Sequence, residues 1–114
     1  MNEYELNSCM LAKFPELAEA FERYTSWQNG MYTGCFLTFE DLLLPFTIEA
    51  IRDKNKSLLT RVGSFIEELM TSGDDYSVNV ATIGMLEGLK AHGSCPACDF
   101  LGPVSLEEYN ALNY

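Results

Sequence analysis

The chain has 114 residues, 47% of them hydrophobic, and 17 acids against 7 Lys and Arg give it a net charge of −10. That size and apolar content suit one globular domain, 1–114, and exclude wholesale disorder. The charge opposes binding to phosphate backbones and anionic lipid, no apolar run nears the ~20 residues of a membrane span, and the acidic Met1–Glu5 opening lacks a signal peptide's basic segment, so a cytoplasmic protein with neither nucleic-acid nor membrane partners is expected.

Asn2 to about Lys13 reads as a helix with Leu6, Met10 and Phe14 spaced by four. Pro15 suits the first position of a second helix, where a missing N–H goes unused. Leu17, Phe21 and Tyr24 form its apolar stripe, and Glu16, Glu19 and Glu22 an acidic one. Asn29-Gly30 and Gly34 break the pattern. Residues 28–37 then read as a loop rich in aromatics, with Trp27 at its entry followed by Tyr32 and Phe36. Thr38 to Asp41 has the spacing of a capping box and predicts a third helix to about Asn55, kinked or divided at Pro45. Ser57 is expected to cap a fourth helix carrying Leu58, Val62, Phe65, Ile66, Leu69 and Met70 at helical period. Ser72-Gly73 ends it, and Asp74-Asp75 opens a fifth with Val78, Thr82, Met85, Leu86 and Leu89 on one face. Val80 and Ile83 add a second apolar side, predicting burial on more than one face. Gly93 closes that helix. A loop from 94 to 104 leads to a second capping-box pattern, Ser105 to Glu108, and a last helix.

No alternating β-branched run is present. The expected fold is all-α: a compact bundle of five to six short helices, with residues 57–92 forming a HEAT-like helical hairpin.

Catalytic signatures are sparse. Cys95-Pro96-Ala97-Cys98 is the one recognisable motif. A C-x-x-C fits half of a zinc site, a redox pair, or an incidental structural pair. His92, with Cys9 or Cys35, is the candidate to complete a metal site; otherwise His92 serves as a cation at a helix C-terminus. Paired acids at Glu40-Asp41, Asp74-Asp75 and Glu107-Glu108 suit helix starts, whereas Glu67-Glu68 falls mid-helix and is expected to face solvent. No phosphate loop, zincin motif or nucleophile elbow is found. No enzyme activity, cofactor or bound metal is expected. Trp27, Tyr32 and Phe36 either cover the core between two helices or form an interface, since aromatics are enriched at hot spots.

The stretch Ser64 to Asp75, containing Phe65-Ile66-Glu67-Glu68-Leu69 and Ser72-Gly73-Asp74, continues through Val78, Val80 and Ala81 to Met85-Leu86-Glu87-Gly88-Leu89. It resembles small helical bacterial proteins similar to the immunity proteins of polymorphic toxin and contact-dependent growth inhibition systems. Phe14 to Leu17 and Leu101-Gly102-Pro103 fit the same pattern, and the likeness covers about half the chain. The Cys95–Cys98 loop departs from it. The resemblance implies a cognate basic toxin domain, an RNA-cleaving nuclease by preference, bound 1:1. The residues expected to meet it are Glu16, Glu19, Glu22, Trp27, Tyr32, Glu40, Asp41, Asp74 and Asp75. A different acidic adaptor or inhibitor of a basic protein is the alternative, and a metal or redox protein using Cys95 and Cys98 a further one.

Overall fold

The computed structural model describes residues 1–93 and 99–112, so Cys95 and Cys98 lie outside the described residues. Among the described residues the chain forms six helical rods and no strand, the all-α bundle expected. The first rod is α1 (Glu3–Lys13), capped reciprocally by Asn2 and Glu5. A 3-10 turn, Pro15–Leu17, with Pro15 at its start, leads into α2 (Ala18–Thr25).

The third rod begins earlier than the capping-box spacing predicts. It runs through α3 (Cys35–Thr38), a π-helical segment (Phe39–Leu43) and α4 (Leu44–Arg52). Thr38 is no cap: it is buried mid-rod and its hydroxyl donates to Asn7 Oδ1 at 2.7 Å. Pro45 does not divide the rod. It has no N–H to return and its ring crowds the carbonyl four residues back. The helix widens immediately before it, with Leu44 N–H bonding to Phe39 O, five residues back.

Asn55, not Ser57, caps α5 (Lys56–Met70), its side chain accepting from Leu58 N at 3.2 Å. Lys54 takes the left-handed conformation, φ 55°, to make the tight α4–α5 turn. Gly73, at φ 75°, does the same for the turn into the fifth rod. That rod runs through α6 (Asp75–Asn79), a second π-helical segment (Val80–Leu86) and α7 (Glu87–His92), with Asp74 as the expected cap. The last helix, α8 (Pro103–Ala111), starts two residues before Ser105, so the second capping box is absent too.

The hairpin of α5 with the fifth rod forms, but it splays. α6 and the following π segment pack against α5, whereas α7 packs against α4. The third and fifth rods therefore run side by side in the same direction, and α5 returns between their opposite ends. Gly84 and Gly88, one turn apart, make this approach close. A Cβ on Gly84 would lie 3.2 Å from Phe39 Cβ, and one on Gly88 2.3 Å from Leu44 Cδ2. The fifth rod is buried on several sides through Val80, Ala81, Met85, Leu86 and Leu89, but Ile83 is exposed.

The core is one cluster from all six rods. Phe65 is its centre, stacked on Phe39 at 5.9 Å and edge-on to Phe14 at 5.7 Å.

The segment before α8 lies so near α5 that a Cβ on Gly63 would come within 1.9 Å of Phe100 O. Replacing a mid-helix glycine by alanine gains about 1 kcal/mol of helix propensity. Here Gly63→Ala is expected to lower stability by about 1–3 kcal/mol nonetheless, because backbone has to move. Urea denaturation measures it; a variant as stable as the parent would contradict the close approach.

Candidate partner-binding surface

The side chain of Asn7 is wholly buried on the apolar stripe of α1. Its Nδ2 donates to Met31 O and Thr33 O, both at 2.9 Å. Its Oδ1 accepts from Thr38 Oγ1 at 2.7 Å and from Cys35 Sγ at 3.4 Å. One amide thus uses both donor hydrogens and accepts from the Thr38 hydroxyl, while the Cys35 S–H is shared between it and Glu3 O at 3.5 Å, and it fixes the 3-10 turn Gly30–Tyr32 to α1 and α3. The Tyr76 hydroxyl accepts from Cys35 N at 3.0 Å, which satisfies an N–H at the start of α3 from the fifth rod.

On this braced strap Tyr32 projects outward, 60% exposed, with its ring 5.2 Å from that of Tyr4. Trp27, in the turn after α2, is 91% exposed and does not cover the core. Phe36 does: it is half-buried against the core and lies edge-on to Tyr76 at 5.8 Å. The aromatic loop therefore divides, with Trp27 and Tyr32 available to a partner and Phe36 structural.

The expected acids divide as well. Glu16 holds Arg61 of α5 through two bonds, at 2.7 and 3.0 Å. Arg61 also donates to Lys13 O at 2.6 Å and sits over the Phe14 ring. This fork brings the Glu16 carboxyl down to about 2. Glu19 is paired with Arg23 at 2.7 Å on its own helix. The predicted Glu16–Glu19–Glu22 stripe is therefore not a free acidic face, and only Glu22 keeps the expected character. Its sequence spacing could not reveal Arg61, which arrives from 45 residues away.

Glu40 and Asp41 are exposed at the start of the first π segment. The Tyr24 hydroxyl donates to Asp41 Oδ2, joining that segment to α2 three residues before Trp27. This bond comes first among the causes that raise the Tyr24 pKa. Glu40 and Asp41 are thus held beside the C-terminal end of α2, which Trp27 follows two residues on. Asp74 and Asp75 lie elsewhere, near the start of α1. Asp74 Oδ1 lies 2.7 Å from the Met1 amino group, and its Oδ2 accepts from Ser77 N and Oγ at 3.0 and 2.6 Å. The Met1 ammonium first, and Ser77 second, bring its carboxyl down to about 2.

Glu67 is half-buried, not solvent-facing as its mid-helix position suggested. It caps α8 from α5: Oε1 accepts from Ser105 N and Oγ at 3.0 and 2.7 Å, and Oε2 from Val104 N at 3.1 Å. Burial disfavours the charge, but these bonds prevail and its pKa is lowered. Gly102 leaves room, since a Cβ there would strike the carboxyl at 2.6 Å. A groove of about 500 Å³ runs beside it, lined by Thr60, Ser64, Glu68 and Phe100 among others.

Cys35 is fully buried, and burial pushes its thiol pKa up. It stands at the start of the third rod, beside Tyr76. His92 lines a cleft with Ile48, Ile51 and Arg52 at that rod's other end, about 25 Å away by helix rise. Cys35 and His92 therefore cannot share a metal. Among the described residues no group of three or more His, Cys, Asp or Glu side chains is placed to hold one. No helix among the described residues is long and apolar enough to cross a membrane.

The chain belongs to the family described as Domain of unknown function (DUF7674), which matches residues 7–114. No curated protein and no solved structure matches it.

Two outcomes are expected. Asn7→Ala removes the side-chain partner of Met31 O, Thr33 O and the Thr38 hydroxyl and is expected to cost at least about 2 kcal/mol. Amide exchange at residues 31–33 and chemical denaturation measure it; an unchanged midpoint would contradict the hub. The Glu16 carboxyl, lowered from 4.5 to about 2, stabilises the fold fully above about pH 4.5, and the contribution is lost as pH falls through about 2. Glu16→Gln is thus expected to be less stable than the parent at pH 6, with the gap closing toward pH 2. A gap of constant size across urea midpoints would contradict the fork.

Proposed function

We propose that this protein acts by binding, as an immunity protein that neutralises a basic toxin domain, an RNA-cleaving nuclease by preference. The observation that carries the reading is Trp27. A tryptophan that is 91% exposed follows the end of α2, the helix that carries Glu22 and whose Tyr24 binds Asp41, on a molecule of net charge −10. Exposing that ring to water without a partner is unfavourable, and Trp is the residue most enriched among interface hot spots. An enzyme that holds polyanionic RNA presents a basic cleft, which an acidic face with a central aromatic complements. The basic residues Arg52, Lys54 and Lys56 cluster at the α4–α5 turn, about 15 Å from Asp41 by helix rise. The Trp27 region is thereby left with its acids uncompensated from that side. The sequence resemblance to immunity proteins supports the same reading.

Co-expression with the toxin domain encoded next to it tests the proposal. Rescued growth and a 1:1 complex on size exclusion are expected. Trp27→Ala should leave stability unchanged, because the ring makes little contact with the fold, and weaken binding roughly 30-fold. Continued toxicity with no complex would overturn the reading, and full affinity in Trp27→Ala would remove this face from it.

A further inference from the structure

We infer that Tyr4 and Tyr32 form a second contact, a preorganised aromatic platform for an arginine side chain of the partner; this rests on the partner being a basic protein. The rings lie 5.2 Å apart and inclined at 50°, and remain 45% and 60% exposed. An inclined pair presents two π faces to one guest, and a guanidinium is the cation that stacks most often on such faces. The backbone on either side of Tyr32 is tied to α1. Tyr4 stands in the first turn of α1, one turn before Asn7, and Tyr32 lies between the two carbonyls, Met31 O and Thr33 O, that Asn7 binds.

The local charge favours a cation. Glu3 and Glu5 flank Tyr4 in sequence, and Asp74 and Asp75 start the neighbouring α6. The starts of α1, α3 and α6 meet here, each bringing roughly half a positive charge. Four carboxylates outweigh those three half-charges even with the Met1 ammonium counted. The arrangement also accounts for the expected residues that the Trp27 region leaves out, Tyr32, Asp74 and Asp75. Tyr4, which spacing did not single out, completes it.

A hexa-arginine peptide, titrated into the isotopically labelled protein at low and at physiological salt, tests the platform without the toxin. Saturable shifts of the Tyr4 and Tyr32 ring protons are expected. Tyr4→Phe and Tyr32→Phe should keep them, while Tyr4→Leu and Tyr32→Leu should each weaken binding roughly 2- to 5-fold. The same four variants are then assayed against the toxin domain, where the same ranking is expected. Ring shifts absent or shared by every surface tyrosine, or leucine variants that bind as well as the parent, would overturn the platform. A peptide that binds as expected beside a toxin domain that does not would instead refute the toxin reading and leave the arginine site standing.

Discussion

The amide of Asn7 is the constraint on which the arrangement turns. Wholly buried, each of its groups needs a partner, and leaving one stranded costs about 1–3 kcal/mol. The four it finds come from the strap and from α3, so α1, the strap and the third rod are fixed to one another at a point. Tyr76 then binds Cys35 N and sets the start of the fifth rod against the start of the third. With those two starts aligned the rods run parallel, and a chain that must connect them has to return along the whole length. That return is α5, and its Phe65 fills the space between them.

Parallel rods this close need small residues where backbones approach. Gly84 and Gly88 supply them, four residues apart on one face, opposite Phe39 and Leu44. The two π-helical segments meet at the same level. Each widened turn shifts the angular position of the residues after it, which keeps the apolar stripe facing its neighbour over a rod too long for one straight stripe. In the third rod the widening also accommodates Pro45, so one local distortion serves both packing and a residue that would otherwise break the helix.

Helix existence and the core were legible in sequence because both follow from local periodicity: Leu6, Met10, Phe14, Val62, Phe65, Ile66 and Leu69 are all buried as their spacing implied. Caps were less legible. Asp74 caps α6 as expected, but Thr38 and Ser105 match the capping-box spacing and are instead consumed by Asn7 and Glu67, from other helices. A spacing rule cannot see a competing partner 31 or 38 residues away. The one local hint was Asn7 itself, a polar residue on an apolar stripe, which a buried position obliges to find hydrogen bonds. Ile83 failed the other way: an apolar residue on a rod with enough other apolar side chains to fill its contacts. The site was half legible for the same reason. Exposure of Trp27 and Tyr32 is a property of the fold, and the loss of Glu16 and Glu19 to Arg61 and Arg23 is a property of pairing, whereas the sequence shows only which residue types are present.

Pairing changes what a charge of −10 can do. Acids tied to arginines contribute little field outside the molecule, because each pair is nearly neutral at a distance. At physiological salt, screening sets in within about 8 Å, so acids elsewhere on the surface add little at a given contact. Total charge can then speed encounter with a basic partner but cannot choose the orientation of docking. Orientation has to come from groups that act at contact range. In the proposed complex Trp27 would be one such group and the Tyr4–Tyr32 pair another. Two contacts at separate places on one rigid body define a docking orientation that either alone leaves free to rotate. A single acidic stripe on α2, as spacing suggested, would have offered attraction without that geometric selectivity.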